Sequence, residues 1–146
     1  SEAVRITYNN PWTSGDFFSV GAANQFLKLR CPLPLNQFDL SGTTNDNDIS
    51  KIRVFYGDSD GFGTDASVTV ELVSVTMPTS PSSPQTTVIC TWDSNTDGTG
   101  AVTATKATKA CVHDLAAEAF YHFRVTLRTG PGGANAAATF VGVSFP

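Results

Sequence analysis

Apolar and polar residues alternate with a period of two along most of this chain. In residues 121–127 every second position is apolar, and His122, Arg124 and Thr126 lie between them. Successive side chains of a β-strand face opposite sides of a sheet, so such a segment has one face for the interior and one for solvent. The pattern predicts a strand here and a second one ending at Phe145, after a loop of Gly, Pro, Asn and Ala.

The same alternation predicts further strands, and turn-forming residues separate them. The predicted strands cover residues 4–8, 26–31, 52–56, 68–77, 87–92 and 101–112. The apolar phase slips after Leu72, which predicts a β-bulge. Residues 12–25 look irregular, a Pro- and Ser-rich connector at 78–85 is long enough to cross between sheets, and residues 113–119 have room for one helical turn.

Eight or nine short strands without an alternating helix pattern indicate an all-β protein. We expect a two-sheet antiparallel β-sandwich, either jelly-roll-like or immunoglobulin-like, and the pattern does not choose between these topologies. A length of 146 residues suits one domain, so residues 1–146 are assigned to a single β-sandwich.

The positions of the three cysteines suggest one disulfide. If residues 87–92 and 101–112 pair as a long hairpin, Cys90 and Cys111 face each other, and a bond there stabilises the fold by about 3 kcal/mol. The alternative is three buried thiols, since Cys behaves as a small hydrophobe. Cys31 is expected to be a buried free thiol. A disulfide is typical of exported proteins, so we expect an extracellular or cell-surface location.

The chain carries little charge. Charged residues make up 15% of it, against about 25% in a typical soluble domain, and the net charge is −4. Lys and Arg are scattered singly, without the basic stripe that neutralises nucleic-acid phosphates. No apolar run reaches the roughly 20 residues of a membrane span. We therefore expect neither nucleic acid nor a membrane span among its interactions.

Residues for catalysis are scarce in this sequence. It has two histidines, His113 and His122, and it lacks the Gly-x-Ser-x-Gly elbow of many serine hydrolases. Nucleophilic and acid–base catalysis need His, Cys, Lys or paired carboxylates held close together, and no spacing here favours such a set. We expect no catalytic residues and no enzymatic activity.

Two acidic loops are candidate calcium sites. Asp93, Asn95 and Asp97 place oxygen side chains at alternate positions before a glycine, as in the first half of a calcium-binding loop. The twelfth position holds Ala104 instead of a bidentate acid, so the loop is not an EF-hand. A second cluster consists of Asp58, Asp60 and Asp65. Both loops also have the composition of simple turns, so the expected cofactor is either none or Ca²⁺.

Aromatic residues near loops are candidates for stacking on a sugar. The candidates are Trp12, Tyr56, Phe62, Trp92 and Tyr121. Phe62 lies within an acidic loop and is expected to be exposed. Trp92 is in phase with Cys90, which is more typical of a core residue. Trp12 follows Pro11 in the irregular stretch and fits either role.

The first predicted strand is a candidate for assembly between copies. Val4, Ile6 and Tyr8 alternate with polar residues near the start of the chain. An edge strand presents unpaired backbone groups that another chain can pair with, so this strand could be donated to a neighbour. The alternative is that it pairs within its own sandwich.

These observations rank the possible functions. We expect a non-enzymatic structural subunit of an extracellular assembly, such as a filament, pilus-like fibre or surface layer, whose partners are copies of itself. The alternative is a carbohydrate-binding or adhesive β-sandwich module, with glycans as partners and with Ca²⁺ as a further ligand. A viral coat or fibre protein is third, because jelly rolls serve there as well.

Overall fold

The fold consists of two five-stranded antiparallel sheets. The computed structural model describes residues 5–9, 12–14, 17–33, 48–78, 83–116, 118–132 and 136–146, with the backbone alone for those before Val20. The strands are β1 (Arg5–Asn9), β2 (Trp12–Ser14), β3 (Phe17–Val20), β4 (Phe26–Pro32), β5 (Asp48–Asp58), β6 (Ala66–Thr76), β7 (Gln85–Asp93), β8 (Thr105–Asp114), β9 (Ala119–Thr129) and β10 (Ala138–Ser144). A short helix, α1 (Ser94–Asp97), follows β7.

The strand order resolves the topology that the sequence left open. The first sheet has the order β1-β4-β9-β6-β7, and the second has the order β2-β3-β10-β5-β8. Without β1 and β2, these become 4-9-6-7 and 3-10-5-8, which is the arrangement of an eight-stranded jelly roll. The predicted two-sheet antiparallel β-sandwich is therefore confirmed, and its topology is of the jelly-roll kind.

Period-two burial builds the core between the sheets. In β4, Leu27 and Leu29 are buried while Lys28 and Arg30 are exposed, and β9 and β6 repeat this alternation. The largest fully buried side chains include Trp92, Tyr56, Leu27, Leu29, Ile49, Ile52, Leu72 and Leu127. Burying one such side chain stabilises the fold by roughly 1.5–3 kcal/mol. The β6–β7 register shifts between Leu72 and Val73, but the extra residue is Ile89 of β7, since the register of β6 with β9 is unbroken. The bulge is therefore next to the predicted position but in the neighbouring strand.

The predicted hairpin between residues 87–92 and 101–112 is wrong. β7 pairs with β6 in the first sheet, whereas β8 pairs with β5 in the second. The alternation shows which face of a strand is buried, but it does not identify the hydrogen-bonded neighbour. Both strands turn their apolar faces to the same interior, and their cysteines meet across it. The connector at residues 78–85, although long enough to cross between sheets, joins two neighbouring strands of one sheet, β6 and β7.

Two other expectations about local structure need correction. Residues 12–25 contain β2 and β3, which lack a clean alternation and are set by pairing with each other and with β10. In the described part of residues 113–119 there is no helical turn, because β8 continues to Asp114 and an Ala119-to-Ala116 backbone hydrogen bond closes a turn. The one helical turn found in the described ranges is α1, which lies in the first acidic loop.

Several loops meet at one end of the sandwich. β3, β5, β7 and β9 end there, and β4, β6, β8 and β10 begin there. The backbone N–H of Ser59 donates to the carbonyl of Ala137 at 3.0 Å, and the N–H of Asn24 donates to the carbonyl of Gly130 at 3.1 Å. The N–H of Gly130 in turn donates to the carbonyl of Asp65 at 2.9 Å. This bonded loop end borders the candidate site.

Candidate functional site

An aromatic side chain occupies a solvent-facing position in the middle of the second sheet. Val54 and Tyr56 of β5 are buried, so the intervening Phe55 faces away from the core and is only half-buried. Its cross-strand partners are Gly142 of β10 and Lys106 of β8. A Cβ built on Gly142 meets nothing within 4 Å, so the space beside the Phe55 ring is open.

A β-bulge raises a second apolar side chain beside Phe55. The register between β10 and β5 shifts between Phe140 and Gly142, which leaves Val141 as the extra residue. Val141 is 52% exposed. Together with Ala104 it forms the wall shared by two adjoining depressions of about 380 and 370 Å³, which we call the groove. The groove is lined by Phe55, Tyr56, Gly57, Asp58, Ser59, Val102, Ala104, Thr105, Lys106, Ala137, Thr139 and Val141.

The loop that forms one wall of the groove, residues 98–104, is tied to the core. The hydroxyl of buried Tyr56 accepts a hydrogen bond from the backbone N–H of Thr99 at 2.9 Å. The Tyr56 ring packs edge-on against Trp92, with centroids 4.7 Å apart. This loop therefore begins on a rigid support and carries Val102, which is 62% exposed, to the rim of the groove.

The Phe62 ring, from the second acidic loop, packs against the 98–104 loop. Gly100 has a φ of +70°, and a Cβ built there would lie 2.6 Å from a Phe62 ring carbon, so only glycine lets the ring lie this close. The Phe62 side chain is nevertheless 58% exposed, as its position in a polar loop predicts. The structure thus places Phe62 over the loop that leads to Val102, and Phe62 remains a candidate for ligand contact.

Of the other four sugar-stacking candidates, Tyr56 and Tyr121 are buried, and Trp92 and Trp12 have different outcomes. Trp92 is fully buried, so it is a core residue, which is the role that its phase with Cys90 favours over ligand contact. Trp12 begins β2, at the edge of the second sheet, and its side chain lies outside the described part. Its backbone register partner is Ser19, which pairs with Thr139, and Thr139 pairs with Gly57. This row of residues runs from the sheet edge into the groove.

Polar groups border the apolar floor of the groove. Thr139 and Thr105 contribute hydroxyl groups, Lys106 contributes an ammonium group, and Gly57 contributes backbone. The hydroxyl of Ser59 accepts a hydrogen bond from the N–H of Ala137 at 2.6 Å, which fixes the rim between two loops. An aromatic and aliphatic floor with hydrogen-bonding groups at its rim is typical of a small-molecule site.

The carboxylates of the first acidic loop have protein partners. Asp93 caps α1 by accepting from the N–H of Asn95 at 2.9 Å, and its other oxygen accepts from the hydroxyl of Thr69 at 2.8 Å. Asp97 accepts from the Asp93 N–H at 3.0 Å and forms an ion pair with Lys109 at 2.7 Å. These contacts fit the turn interpretation of the loop.

The second acidic loop contains a buried pair of carboxyl groups. Asp58 is 1% exposed, and it accepts a short hydrogen bond from the hydroxyl of Ser94, which accepts from the Val68 N–H at 3.0 Å. Burial, and then a hydrogen bond with Asp60, raise the pKa of Asp58 to about 7. One oxygen of each of these two carboxyls is buried without a partner. A proton on Asp58, donated to Asp60, would give both of these oxygens a partner.

Asp60 has the opposite shift because it receives more hydrogen bonds. Burial alone would raise its pKa, but hydrogen bonds from Asp58 and from the N–H groups of Asp65 and Ala66 outweigh burial and lower it. The Asp65 carboxylate instead lies against Gly132, where a Cβ would come within 2.6 Å of it. Across the described ranges, no three His, Cys, Asp or Glu side chains are grouped to hold a metal ion. Calcium binding stays a prediction.

A disulfide joins Cys90 of β7 to Cys111 of β8, with 5.8 Å between their Cα atoms. The bond thereby links the edge strands of the two sheets. Cys31 is a buried free thiol, as expected, and burial raises its pKa. Among the described residues, no helix is long and apolar enough to span a membrane.

The candidate assembly strand has a partner within its own sandwich. β1 pairs antiparallel with β4, with Ile6 opposite Leu29 and Tyr8 opposite Leu27. Val4 lies outside the described residues. The other side of β1 is an edge of the first sheet. Donation of this strand to a neighbouring copy stays a prediction, and no contact in the described part supports it.

Phe55 and Val141 were not identified from the sequence. The signal for Phe55 is its phase, since Ile52, Val54 and Tyr56 point inward and a large aromatic residue stands between them at an outward position. The exposure of Val141 depends on the bulge in β10. That bulge arises where β10 pairs with β5, and Val141 and Tyr56 are 85 residues apart in sequence. The local sequence of β10 therefore does not predict it.

Comparisons with known proteins give fold likenesses at low identity. No protein-family model and no curated protein matches the chain. A solved structure of the CBM32 module of AlyQ in complex with 4,5-unsaturated mannuronic acid is 11% identical, covers 97% of this chain and 93% of its own, and has a TM-score of 0.36. The CBM22-1-GH10 modules of xylanase 10B from Clostridium thermocellum, complexed with xylohexaose, are 13% identical over 95% of this chain and 26% of theirs, with a TM-score of 0.41. Likenesses at this level concern the fold alone.

Proposed function

We propose that this chain is a non-catalytic carbohydrate-binding module and that the groove is its glycan site. The observation that carries the proposal is Phe55, an aromatic ring at a solvent-facing position beside the open space over Gly142. A pyranose ring has an apolar C–H face and a rim of hydroxyl groups. Phe55 and Val141 suit the first, while Thr139, Thr105 and Lys106 suit the second.

The architecture around the groove supports binding by a preformed surface. Phe55 is on a central strand, between β8 and β10, so its backbone is held on both sides. The loop wall is tied to the core through Tyr56 and Thr99. A site on rigid elements loses little conformational freedom when ligand binds, which favours affinity. The disulfide is consistent with an exported protein that meets glycans outside the cell.

Binding is tested by titrating the full chain with a panel of soluble oligosaccharides, using calorimetry. We expect Phe55→Ala to lower the affinity for a bound glycan about tenfold, which corresponds to the loss of one aromatic platform. Trp12→Ala tests whether the row that leads to the sheet edge belongs to the site.

The matched control is Phe120→Ala, because Phe120 is 69% exposed on the first sheet. The Phe120→Ala variant should bind glycan with the affinity of the unmodified chain. Circular dichroism and melting should show that all variants fold. If the panel contains no ligand, or if binding is indifferent to Phe55→Ala, the proposal is wrong.

A further inference from the structure

We propose that the groove binds an anionic glycan whose sugars carry carboxylates, namely a polyuronate; this inference rests on the proposed function. Three basic side chains share the outer face of the second sheet with Phe55. These are Lys51 and Arg53 of β5 and Lys106 of β8, which we call the face cations. Their position beside an aromatic ring is what the carboxylate and the apolar face of one uronic acid require together.

Two of the face cations flank the Phe55 ring directly. Lys106 is the cross-strand partner of Phe55, so their Cβ atoms lie about 5 Å apart. Arg53 is two residues before Phe55 on the same face, which is about 6.6 Å along the strand. The Arg53 Nε atom donates to the hydroxyl of Thr108 at 3.4 Å, so the guanidinium extends over β8 beside Lys106. The ring therefore has a positive charge on two sides.

The face cations have no described carboxylate partner. In the described part of the chain, the ion pairs join Lys109 to Asp97 and Arg124 to Glu71, and neither pair includes a face cation. The described carboxylates on the outer side of β5 and β8, Asp48 and Asp114, lie opposite each other at the end of these strands that is nearest Lys51 and farthest from Lys106. Asp114, for example, is eight residues from Lys106, or about 26 Å along β8. A charged ligand would find these cations available.

The overall charge of the chain makes this face distinctive. The net charge is −4, so a polyanion is attracted by the local field of this face and not by the molecule as a whole. The cations are spaced along the strands and do not form the dense cluster that phosphate-rich chains require. A polymer with one carboxylate per sugar matches this spacing better than a nucleic acid or a heavily sulfated glycan.

The test compares a charged and a neutral ligand on the same surface. The full chain is titrated with oligogalacturonate and with a neutral xylo-oligosaccharide of equal length, at low and at high NaCl. The variant Lys51→Gln/Arg53→Gln, which changes two face cations outside the groove lining, should lose affinity for oligogalacturonate about fivefold, the value expected from two exposed charge contacts. Its affinity for the neutral oligosaccharide should stay within about twofold, since solvated charges contribute little there. High NaCl should reproduce the loss in the unmodified chain.

The control variant is Lys28→Gln/Arg30→Gln, which makes the same change in net charge on the exposed face of the first sheet. Equal losses in both double variants would overturn the inference, as would tighter binding of a sulfated glycan or a single-stranded oligonucleotide than of oligogalacturonate. If the neutral oligosaccharide binds and depends on Phe55 while oligogalacturonate gains nothing from the face cations, the proposed function stands and this inference falls. If no glycan binds, both fall.

Discussion

The hydroxyl of Tyr56 accepts a hydrogen bond from the backbone N–H of Thr99 at 2.9 Å, and it is the link between the core and the groove. The Tyr56 ring is buried against Trp92, while Thr99 begins the loop that carries Val102 to the rim. One side chain thus belongs to the interior and also positions the binding surface. Gly98 completes the arrangement, because a Cβ there would come within 2.6 Å of the Tyr56 hydroxyl.

Removal of this hydroxyl should affect stability and binding together. Tyr56→Phe keeps the ring but leaves the Thr99 N–H without its partner, which should cost about 1 kcal/mol in free energy of unfolding. The loop should become more mobile, so glycan affinity should fall while the fold remains. Urea denaturation and calorimetry measure the two effects. Tyr121→Phe, at the other end of the sandwich, is the control, and an equal loss of affinity there would contradict the role of the link.

The disulfide should contribute strongly to stability because it joins the two sheets. We expect Cys90→Ala/Cys111→Ala to lose about 3 kcal/mol of unfolding free energy, as a closed loop of this length predicts. Thiol titration in denaturant should find one reactive thiol, that of Cys31, and three after reduction. A count of three before reduction would show that the bond does not form. Cys31→Ala serves as the control, since it removes a buried thiol without a cross-link.

The buried acid Asp58 should make stability depend on pH. Its pKa is raised to about 7 in the folded state, above the ordinary carboxyl value near 4. The folded state therefore binds the proton more tightly, so this contribution to stability is full below pH 4 and is lost as pH rises towards 7 and above. Asp58→Asn should remove the loss, and the difference in unfolding free energy between the two proteins should change between about pH 4 and pH 7 and stay constant above that range.

The comparison with Asp58→Asn is needed because His122 acts in the opposite sense. Burial, and then the charges of Arg30 and Arg124, lower the pKa of His122, so its contribution makes the protein more stable as pH rises. The difference between the two proteins cancels that contribution. A parallel curve for Asp58→Asn would mean that the buried pair does not titrate in this range.

Removal of calcium should leave stability unchanged. Asp93 already accepts a hydrogen bond from the N–H of Asn95 in α1, and Asp97 accepts one from the N–H of Asp93 and pairs with the ammonium group of Lys109. Melting in excess EGTA and in excess Ca²⁺ should therefore give the same midpoint. A midpoint several degrees higher in Ca²⁺ would instead establish a metal site, and Asp97→Asn and Asp60→Asn would then identify which loop holds the ion.

The sequence predicted which faces are buried better than it predicted which strands are neighbours. The alternation of Leu27, Leu29 and Cys31 with charged residues identifies an inward face without knowledge of any partner. The partner of a strand is decided by contacts far away along the chain, so β7 and β8 were wrongly paired although Trp92 faces the core as its phase favours. Cys90 and Cys111 are still bonded, because inward-facing side chains come into contact across a sandwich, just as neighbouring side chains do on paired strands.

The candidate site was harder to predict because its parts come from different levels of structure. Phe62 was identified from its loop alone, and the structure exposes it. Trp92 was one candidate for ligand contact although its phase favoured the core, and it is buried as the phase predicts. The exposure of Val141 depends on a bulge, and the position of Ala104 in the groove lining depends on a loop held by Tyr56. A surface built from three non-neighbouring segments has no signature in one sequence.

A substitution at Gly142 should separate binding from stability. Gly142 is the cross-strand partner of Phe55, and a Cβ there meets nothing within 4 Å. Gly142→Val should leave the melting midpoint unchanged or raise it, because a strand glycine costs entropy and a β-branched residue suits a strand. The new side chain would occupy the space beside the Phe55 ring, so glycan affinity should fall at least as far as in Phe55→Ala. Thr126→Val, on the outer face of the first sheet, is the control. If the Gly142→Val protein binds glycan with unchanged affinity, the ligand does not bind beside Phe55.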